Sequence, residues 1–206
     1  MITKIIFIVL VFLFGSIPFG YLISRMVSKK DIRQIGSGNI GATNVTRVLG
    51  VKWGLLSFFF DFAKGYLPFL LATIIFPELN RAWLLWMSIP AILGHNFSPF
   101  LGFKGGKGIS TTAGLLVAYS PLLGLCCLLF WVILLFLFAY VSLASILALI
   151  FAPLLVLFSS WFPFNQLDFF ALLSMALLGI YQHRSNIKRL WSKSEKRMLP
   201  FSLFKI

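Results

Sequence analysis

The chain has few acidic residues and little charge of any kind. Its 206 residues include five Asp and Glu, and 11% are charged, whereas a soluble domain averages about 25%. A water-soluble globule of this length would need more polar surface, so the composition excludes that class and indicates an integral membrane protein. The two cysteines, Cys126 and Cys127, are adjacent in an apolar segment. Their placement is poor for a mutual disulfide, and two are too few for a metal site.

The charge that is present is mostly positive. Eighteen Lys and Arg give a formal net charge of +13, and 60% of the residues are hydrophobic. The basic residues cluster in a few segments instead of spreading evenly. Such clusters attract anions, so anionic lipid or an anionic substrate is the expected partner.

Apolar segments separate the basic clusters and are long enough to cross a hydrocarbon layer of about 30 Å. We predict spans over residues 5–24, 53–76 and 82–103. A cleaved signal peptide is the alternative for the first, but no small-residue cleavage site follows it. The second span carries Asp61 and Lys64, three residues apart, which favours a structural ion pair on one helix face, with a catalytic role as the alternative.

The second half of the chain is the most apolar part. No charged residue occurs from Gly108 to Leu167, and two crossings would leave helices of over about thirty residues. Four helices of about 16 to 19 residues fit better, with breaks near Ser120, near Tyr140 and in the stretch SSWFPFN. We therefore predict an all-α polytopic bundle of seven transmembrane helices, with five as the alternative, in one membrane-embedded domain over residues 1–206.

The distribution of Lys and Arg predicts the sidedness. Basic residues are dense in residues 25–52, at Lys104 and Lys107, and in residues 184–205, whereas PELNR at residues 77–81 is nearly neutral. The positive-inside rule places the three basic segments in the cytoplasm. It places the N-terminus and residues 77–81 outside.

The first basic loop contains the stretch GSGNIGATNVTR, residues 36–47. Its glycines permit close backbone approach, and Arg47 offers a planar bidentate cation. Its uncharged hydrogen-bonding residues are Ser37, Asn39, Thr43, Asn44 and Thr46. This composition predicts an anion cradle, with a flexible juxtamembrane loop as the alternative.

The second basic loop, LGFKGGKGIS at residues 101–110, places Lys104 and Lys107 among four glycines. It differs from a nucleotide-binding P-loop, because its spacing is one residue short and Gly108 follows the lysine, which argues against nucleoside triphosphates. Exposed backbone amides, two lysines and a helix beginning near Ile109 predict a site for a single phosphate.

Two histidines accompany these loops. His95 and Asn96 end the third predicted span on the same predicted membrane face as the second loop, which makes a functional His95 as well supported as a packed or capping one. His183 and Asn186 open the stretch HRSNIKRLWSKSEKR and would share a helix face if the last span continued past the interface. The basic residues that follow indicate anchoring to anionic lipid.

Three segments together, GSGNIGATNVTR, GHNFSPFLGFKGGKG and HRSNIKRL, resemble the signature motifs of the bacterial acyl-phosphate:glycerol-3-phosphate acyltransferases, the PlsY family. DFAKGYLP, residues 61–68, resembles a further family segment, and the motifs occur in the family order across essentially the whole chain. The resemblance implies a seven-helix bacterial inner-membrane enzyme without metal, nucleotide or other cofactor. Such an enzyme transfers a fatty acyl group from acyl phosphate to the 1-position of glycerol 3-phosphate, which gives lysophosphatidic acid.

The resemblance also implies residue roles. The glycerol-3-phosphate site would include Ser37, Arg47, Lys104, His183 and Asn186. The acyl-phosphate head would lie near Thr43, Gly105, Gly106, Lys107 and Gly108. Gly38, Asn39 and Asn44 complete the expected substrate-binding set, and the candidate catalytic residues are His95, Lys104, His183 and Asn186. Membrane lipid is an expected partner; nucleic acid and an obligate protein partner are not.

The expected chemistry is attack of an alcohol on a mixed anhydride, which is already activated. No Ser-His-Asp set is evident in the sequence, so we expect direct transfer without an acyl-enzyme. A membrane anion transporter or channel is the alternative, but such proteins tend to show internal repeats and sites near the bilayer midplane. A non-enzymatic lipid-binding protein would not need the glycines beside Lys107.

Overall fold

The computed structural model describes residues 1–162 and 165–198, and over these ranges it contains helices and no β-strand. The predicted all-α class is therefore confirmed. The chain divides into two compact units, Met1–Tyr119 and Ser120–Ile206. The assignment of one acyltransferase domain to residues 1–206 stays a prediction. Part of the predicted SSWFPFN break and the last part of the basic C-terminal segment lie outside the described residues.

The first unit contains seven α-helices in the order of the chain. They are α1 (Ile2–Ser16), α2 (Phe19–Ser28), α3 (Ala42–Leu49), α4 (Val51–Ile75), α5 (Arg81–Ser88), α6 (Pro90–Asn96) and α7 (Ile109–Tyr119). Short 3-10 turns at Ile32–Gln34 and Pro99–Leu101 lie in its two long loops. The described part of the second unit contains α8 (Pro121–Phe138), α9 (Val141–Phe158), α10 (Gln166–Gln182) and α11 (Arg184–Trp191).

Proline accounts for two differences from the predicted spans. The first span is not one continuous helix, because α1 ends at Ser16 and α2 begins only after Pro18. The third predicted span, residues 82–103, is divided at Pro90 and ends early, at Asn96. Proline lacks the backbone N–H of a helix interior and fits the first helical turn, so each helix restarts beside it.

The uncharged half of the chain forms the four predicted helices, with breaks at Ser120 and at residues 139–140. The α8, α9 and α10 helices have 18, 18 and 17 residues, as expected, but α7 has only 11. By length and composition, four described segments can cross a membrane, namely Ile2–Ser28, α4, α8 and α9. The protein is therefore a multi-pass membrane protein, and seven spans stays a prediction.

Close backbone packing fixes α7 against the middle of α4. A Cβ added at Gly65 of α4 would overlap the carbonyl oxygen of Thr111, and one added at Gly114 of α7 would overlap that of Phe62. Small residues at helix contacts allow this approach in membrane proteins. The start of α7 consequently lies at the level of Lys64, well along the roughly 37 Å of α4 that 25 residues provide.

One hydrophobic cluster joins the two basic loops of the first unit. Its buried members are Ile23, Ile32, Ile40, Val45 and Leu101. Because Ile40 belongs to the first loop and Leu101 to the second, both loops lie at the same end of this unit. That both loops face the cytoplasm stays a prediction.

Candidate functional site

The first loop is closed by the buried side chain of Asn44, which is 2% exposed. Its Nδ2 donates to the carbonyls of Ile32 at 3.3 Å, Ile35 at 3.0 Å and Asn39 at 2.9 Å. Its Oδ1 accepts the backbone N–H of Ser37 at 2.8 Å. Both ends of the amide are used inside the loop, so the structure favours a positioning role for Asn44 over direct substrate contact.

The loop displays the polar groups that Asn44 positions. Its exposed members are Gly36, Ser37, Gly38 and Arg47, with Thr43 half-buried in the first turn of α3. Gly38 has a φ of 72°, in the left-handed region that glycine adopts readily. The Asn39 side chain accepts the N–H of Gly41 at 2.8 Å, at the start of α3. Its carboxamide oxygen is thus used within the loop.

The second loop is held by the end of α6. The N–H of Gly105 donates to the carbonyl of Asn96 at 3.1 Å, and that of Gly106 donates to the carbonyl of His95 at 2.9 Å. A Cβ at Gly105 would overlap the His95 carbonyl oxygen, and a Cβ at Gly106 would overlap Nε2 of the His95 ring. The expectation that these two amides face a phosphate was wrong, because both are bonded to the protein. The two glycines allow the loop to pack closely against His95 at the end of α6.

The lysines of this loop lie next to the start of α7, which begins at Ile109 as predicted. Lys104 is exposed and Lys107 is half-buried. Gly108 has a φ of 76° and its carbonyl accepts the N–H of Thr112 at 2.7 Å. Two cations beside a helix N-terminus favour a bound anion there.

A buried cluster of ionisable groups lies beneath the second loop. The predicted Asp61–Lys64 ion pair is confirmed, with 2.7 Å between Oδ1 and Nζ. His95 joins it, with Nδ1 3.4 Å from Nζ of Lys64 and 3.6 Å from Oδ1 of Asp61. His95 is 4% exposed and its ring contacts Gly106, so the structure favours a supporting role over the direct catalytic role expected from the sequence. No local sequence pattern predicted that His95 would reach this pair.

His183 separates two helices in the second unit. Because α10 ends at Gln182 and α11 begins at Arg184, His183 and Asn186 do not lie on one continuous helix, contrary to expectation. Nδ1 of His183 is 2.7 Å from the carbonyl oxygen of Gly179. A carbonyl only accepts, so Nδ1 carries the hydrogen, and a neutral His183 ring therefore has an acceptor at Nε2.

Glu195 organises the region around Asn186. Its Oε1 accepts from Nδ2 of Asn186 at 2.6 Å and from the hydroxyl of Ser142 at 2.8 Å, and its Oε2 accepts from Nε of Arg189 at 2.7 Å. Burial raises the pKa of Glu195, but the hydrogen bonds from Asn186, Arg189 and Ser142 outweigh it and hold the pKa below its usual value. Glu195 was not among the predicted site residues. Its signal was a single acid within the basic stretch 183–197.

These features define a class: a multi-pass α-helical membrane protein with two cationic, glycine-bearing loops at one end of its first unit. Such loops suit small phosphorylated ligands.

Comparison with known proteins identifies the family within this class. Residues 5–193 match the family model described as glycerol-3-phosphate acyltransferase. The glycerol-3-phosphate acyltransferase of Aquifex aeolicus is 45% identical over 195 residues, which cover 94% of this chain and 99% of the relative. That of Lactococcus lactis subsp. lactis is 38% identical, with 98% and 96% covered. The chain belongs to the glycerol-3-phosphate acyltransferase family, and the resemblance to PlsY is confirmed.

Two solved structures support the same family assignment. The crystal structure of PlsY (YgiH), an integral membrane glycerol 3-phosphate acyltransferase, in its glycerol 3-phosphate form superimposes with a TM-score of 0.89 at 38% identity, covering 99% of this chain and 100% of that one. The lysophosphatidic acid form of PlsY gives 0.84 at 39% identity, with 95% of each chain covered. The fold of this chain is therefore the PlsY fold.

Proposed function

We propose that the protein transfers a fatty acyl group from acyl phosphate to the 1-position of glycerol 3-phosphate, which yields lysophosphatidic acid and inorganic phosphate. This would be the first acylation step of bacterial phospholipid synthesis. The observation that carries the proposal is the family match over residues 5–193. The two cationic loops at one end of the first unit support it, because both substrates carry phosphate.

On the donor side, the phosphate of acyl phosphate is assigned to the start of α7. Lys107 and Gly108 precede Ile109, the first residue of that helix, where the helix dipole and amides favour negative charge. Thr43 belongs to this side by its family motif. Gly105 and Gly106 contribute to the donor side by setting the shape of the second loop, because their amides already bond to the end of α6.

On the acceptor side, the phosphate of glycerol 3-phosphate is assigned to Ser37, Arg47 and Lys104. Ser37 and Arg47 are exposed on the loop that Asn44 closes, and Lys104 is exposed on the second loop. Gly38 and Asn39 shape the same loop. The family motif also assigns His183 and Asn186 to the reaction, and this assignment stays a proposal.

The proposed chemistry is direct. The 1-hydroxyl oxygen of glycerol 3-phosphate attacks the acyl carbonyl carbon, the bond from that carbon to the phosphate oxygen breaks, and phosphate leaves. The hydroxyl proton passes to the departing phosphate or to a histidine. Lys107 and Lys104 stabilise negative charge on the phosphates, and no acyl-enzyme forms.

The proposed location is the bacterial inner membrane, with seven spans, the N-terminus outside, and the loops and C-terminus in the cytoplasm. Single cysteines in a background without Cys126 and Cys127 test this. Cysteines at Gln34, Phe103 and Ser192, which are exposed, should react with impermeant reagents from the cytoplasm only. One at Asn80 should react from outside only. Opposite labelling at Phe103 and Ser192 would contradict the topology.

The function is tested with purified protein, palmitoyl phosphate and glycerol 3-phosphate. Lysophosphatidate and phosphate should appear in equal amounts, and palmitoyl phosphate without acceptor should leave no acyl group on the protein. Absence of acceptor-dependent product would contradict the proposed reaction. A stoichiometric, hydroxylamine-sensitive acyl-enzyme would contradict direct transfer while leaving the reaction itself intact.

A further inference from the structure

The buried Asp61–Lys64 pair is not used by the reaction as proposed, yet it lies directly beneath the second loop. Lys64 is 0% exposed and Asp61 is 1% exposed. Burying two charges within a membrane-spanning helix is costly unless they are paired. Apolar residues of similar volume often replace a buried ion pair without loss of stability. The groups around Lys64 and Asp61 can therefore indicate a role for the pair beyond stability.

Lys64 has three N–H donors and three partners at hand. Nζ lies 2.7 Å from Oδ1 of Asp61, 3.4 Å from Nδ1 of His95, and 5.0 Å from the ring centroid of Phe19. A carboxylate, an imidazole nitrogen and the face of an aromatic ring all attract an ammonium group. This environment fits a protonated Lys64.

A protonated Lys64 has no acceptor, so the contact with His95 requires a lone pair on Nδ1. The competing contact, from Nδ1–H to Oδ1 of Asp61, is longer at 3.6 Å and exceeds normal hydrogen-bond distance. The hydrogen of a neutral His95 ring then resides on Nε2. That nitrogen is the atom against which Gly106 packs.

We infer that Asp61 and Lys64 are positioning residues that hold His95 as its neutral Nε2–H tautomer, so that a hydrogen-bond donor and not a lone pair faces the second loop. The inference rests on the proposed function, in which this loop receives the phosphate of the acyl donor. A lone pair beneath that phosphate would repel it, whereas the N–H end of the ring favours it. The same pair also links the two loops. Lys64 contacts the ring of Phe19. Gly20, the residue after Phe19, packs against the carbonyl of Ile40 in the first loop.

The two histidines of the chain make the inference measurable. His183 carries its hydrogen on Nδ1, where it donates to Gly179, so the two neutral rings have opposite tautomers. Nitrogen NMR of protein labelled at histidine should therefore show one ring of each kind. The His95→Gln variant identifies which signals belong to His95.

The test compares the wild type with the double variant Asp61→Leu, Lys64→Met, which removes the pair without leaving a lone buried charge. Lys52→Met is the matched control, because Lys52 is an exposed cation on the same helix, α4. In the double variant we expect His95 to lose its fixed Nε2–H tautomer, and kcat/KM for palmitoyl phosphate to fall at least about tenfold. KM for glycerol 3-phosphate should change less than about twofold, and the control should behave as wild type in both measurements.

Two results would overturn the inference. One is a His95 ring in the wild type that is protonated on Nδ1 or on both nitrogens. The other is a folded double variant with an unchanged tautomer or unchanged donor kinetics. If the double variant does not fold, Lys64→Arg keeps a donor-only cation beside Asp61 and should retain the tautomer. Loss of the tautomer in a folded Lys64→Arg protein would count against hydrogen bonding from residue 64. A wild type without transferase activity would refute the proposed function, yet its spectrum would still decide the tautomer.

Discussion

The two polar loops of the first unit are held in different ways. The first is closed by one buried side chain, because the amide of Asn44 makes four hydrogen bonds to its backbone. The second is held by backbone carbonyls of α6, to which Gly105 and Gly106 donate. The first loop therefore depends on one side chain, and the second on the absence of side chains.

This difference has a functional meaning under the proposed reaction. A loop closed by a side chain can display varied groups, such as Ser37 and Arg47, toward a polar acceptor. A loop pressed against His95 has a fixed shape, and its cations are set against the start of α7. We therefore expect changes at Gly105 and Gly106 of the second loop to impair use of the acyl donor, and changes at Asn44 of the first loop to impair use of the acceptor.

The largest effect is expected for Gly105→Ala. The added Cβ would overlap the carbonyl oxygen of His95. That oxygen accepts the N–H of Gly106, so it cannot move aside without breaking this hydrogen bond. We expect activity with palmitoyl phosphate to fall about 10²-fold or more, comparable to losing one preorganised donor in an active site, with normal amounts in the membrane. The control is Gly102→Asn, since Gly102 has open space around its Cβ position and a φ of 62°, which Asn tolerates. Equal activity in both variants would contradict the close fit.

A smaller effect is expected for Asn44→Ala. Loss of its hydrogen bonds at about 1 kcal/mol each would loosen the loop, so KM for glycerol 3-phosphate should rise about tenfold to a hundredfold. The matched control is Asn80→Ala, which removes an N-cap to Trp83 at 3.0 Å outside both loops. That variant should lower stability by about 1 kcal/mol with acceptor kinetics unchanged. Wild-type acceptor kinetics in a folded Asn44→Ala protein would show that the loop closes without this side chain.

Glu195 of the second unit also holds a segment of the chain through a side chain, as Asn44 does in the first. Its pKa is lowered by hydrogen bonds that outweigh burial, so its stabilising contribution is present above the ordinary pKa of about 4.3 and is lost as pH falls through the lower folded value. We expect Glu195→Gln to be less stable than wild type at pH 7 and the gap to close in acid. Thermal unfolding in detergent from pH 3 to pH 7 measures this, and a gap that is constant with pH would contradict it.

The smallest effect is expected for Asp31→Asn, near the start of the first loop. Hydrogen bonds from the side chain and backbone of Arg33 lower the pKa of Asp31 to about 2. Any stability it contributes is therefore present above the ordinary carboxylate range and is lost only as pH falls through about 2. Asn keeps the cap that Asp31 offers to the N–H of Arg33 at 3.0 Å, so acceptor kinetics at pH 7 should stay within about twofold of wild type. A larger defect would show that the first loop depends on this carboxylate as well.

Much of this arrangement follows from local sequence. Long apolar runs predicted α4, α8 and α9, and the i to i+3 spacing predicted the Asp61–Lys64 pair. Proline is a local signal whose effect at Pro18 and Pro90 we underestimated. The shortness of α7 had no such signal, because its limits depend on the packing of Gly65 and Gly114 against the backbone of the opposite helix.

The site was predictable in its residues and less so in their roles. Glycines in a basic loop indicated close approach, but the partner of Gly105 and Gly106 is the end of α6 and not a ligand. An asparagine that binds a substrate and one that closes a loop look the same in a sequence, and Asn44 was assigned to the first kind. Glu195 was hidden in a basic segment because its donors, Ser142 and Asn186, are distant in sequence.

The most direct test of the account is a crossed kinetic measurement on Asn44→Ala and Gly106→Ala. Initial rates are measured with palmitoyl phosphate varied at saturating glycerol 3-phosphate, and then the reverse. We expect Gly106→Ala to lose kcat/KM for the donor without rescue by excess acceptor, and Asn44→Ala to lose kcat/KM for the acceptor alone. Equal losses for both substrates in both variants would contradict the assignment of Gly106 to the donor side and of Asn44 to the acceptor side.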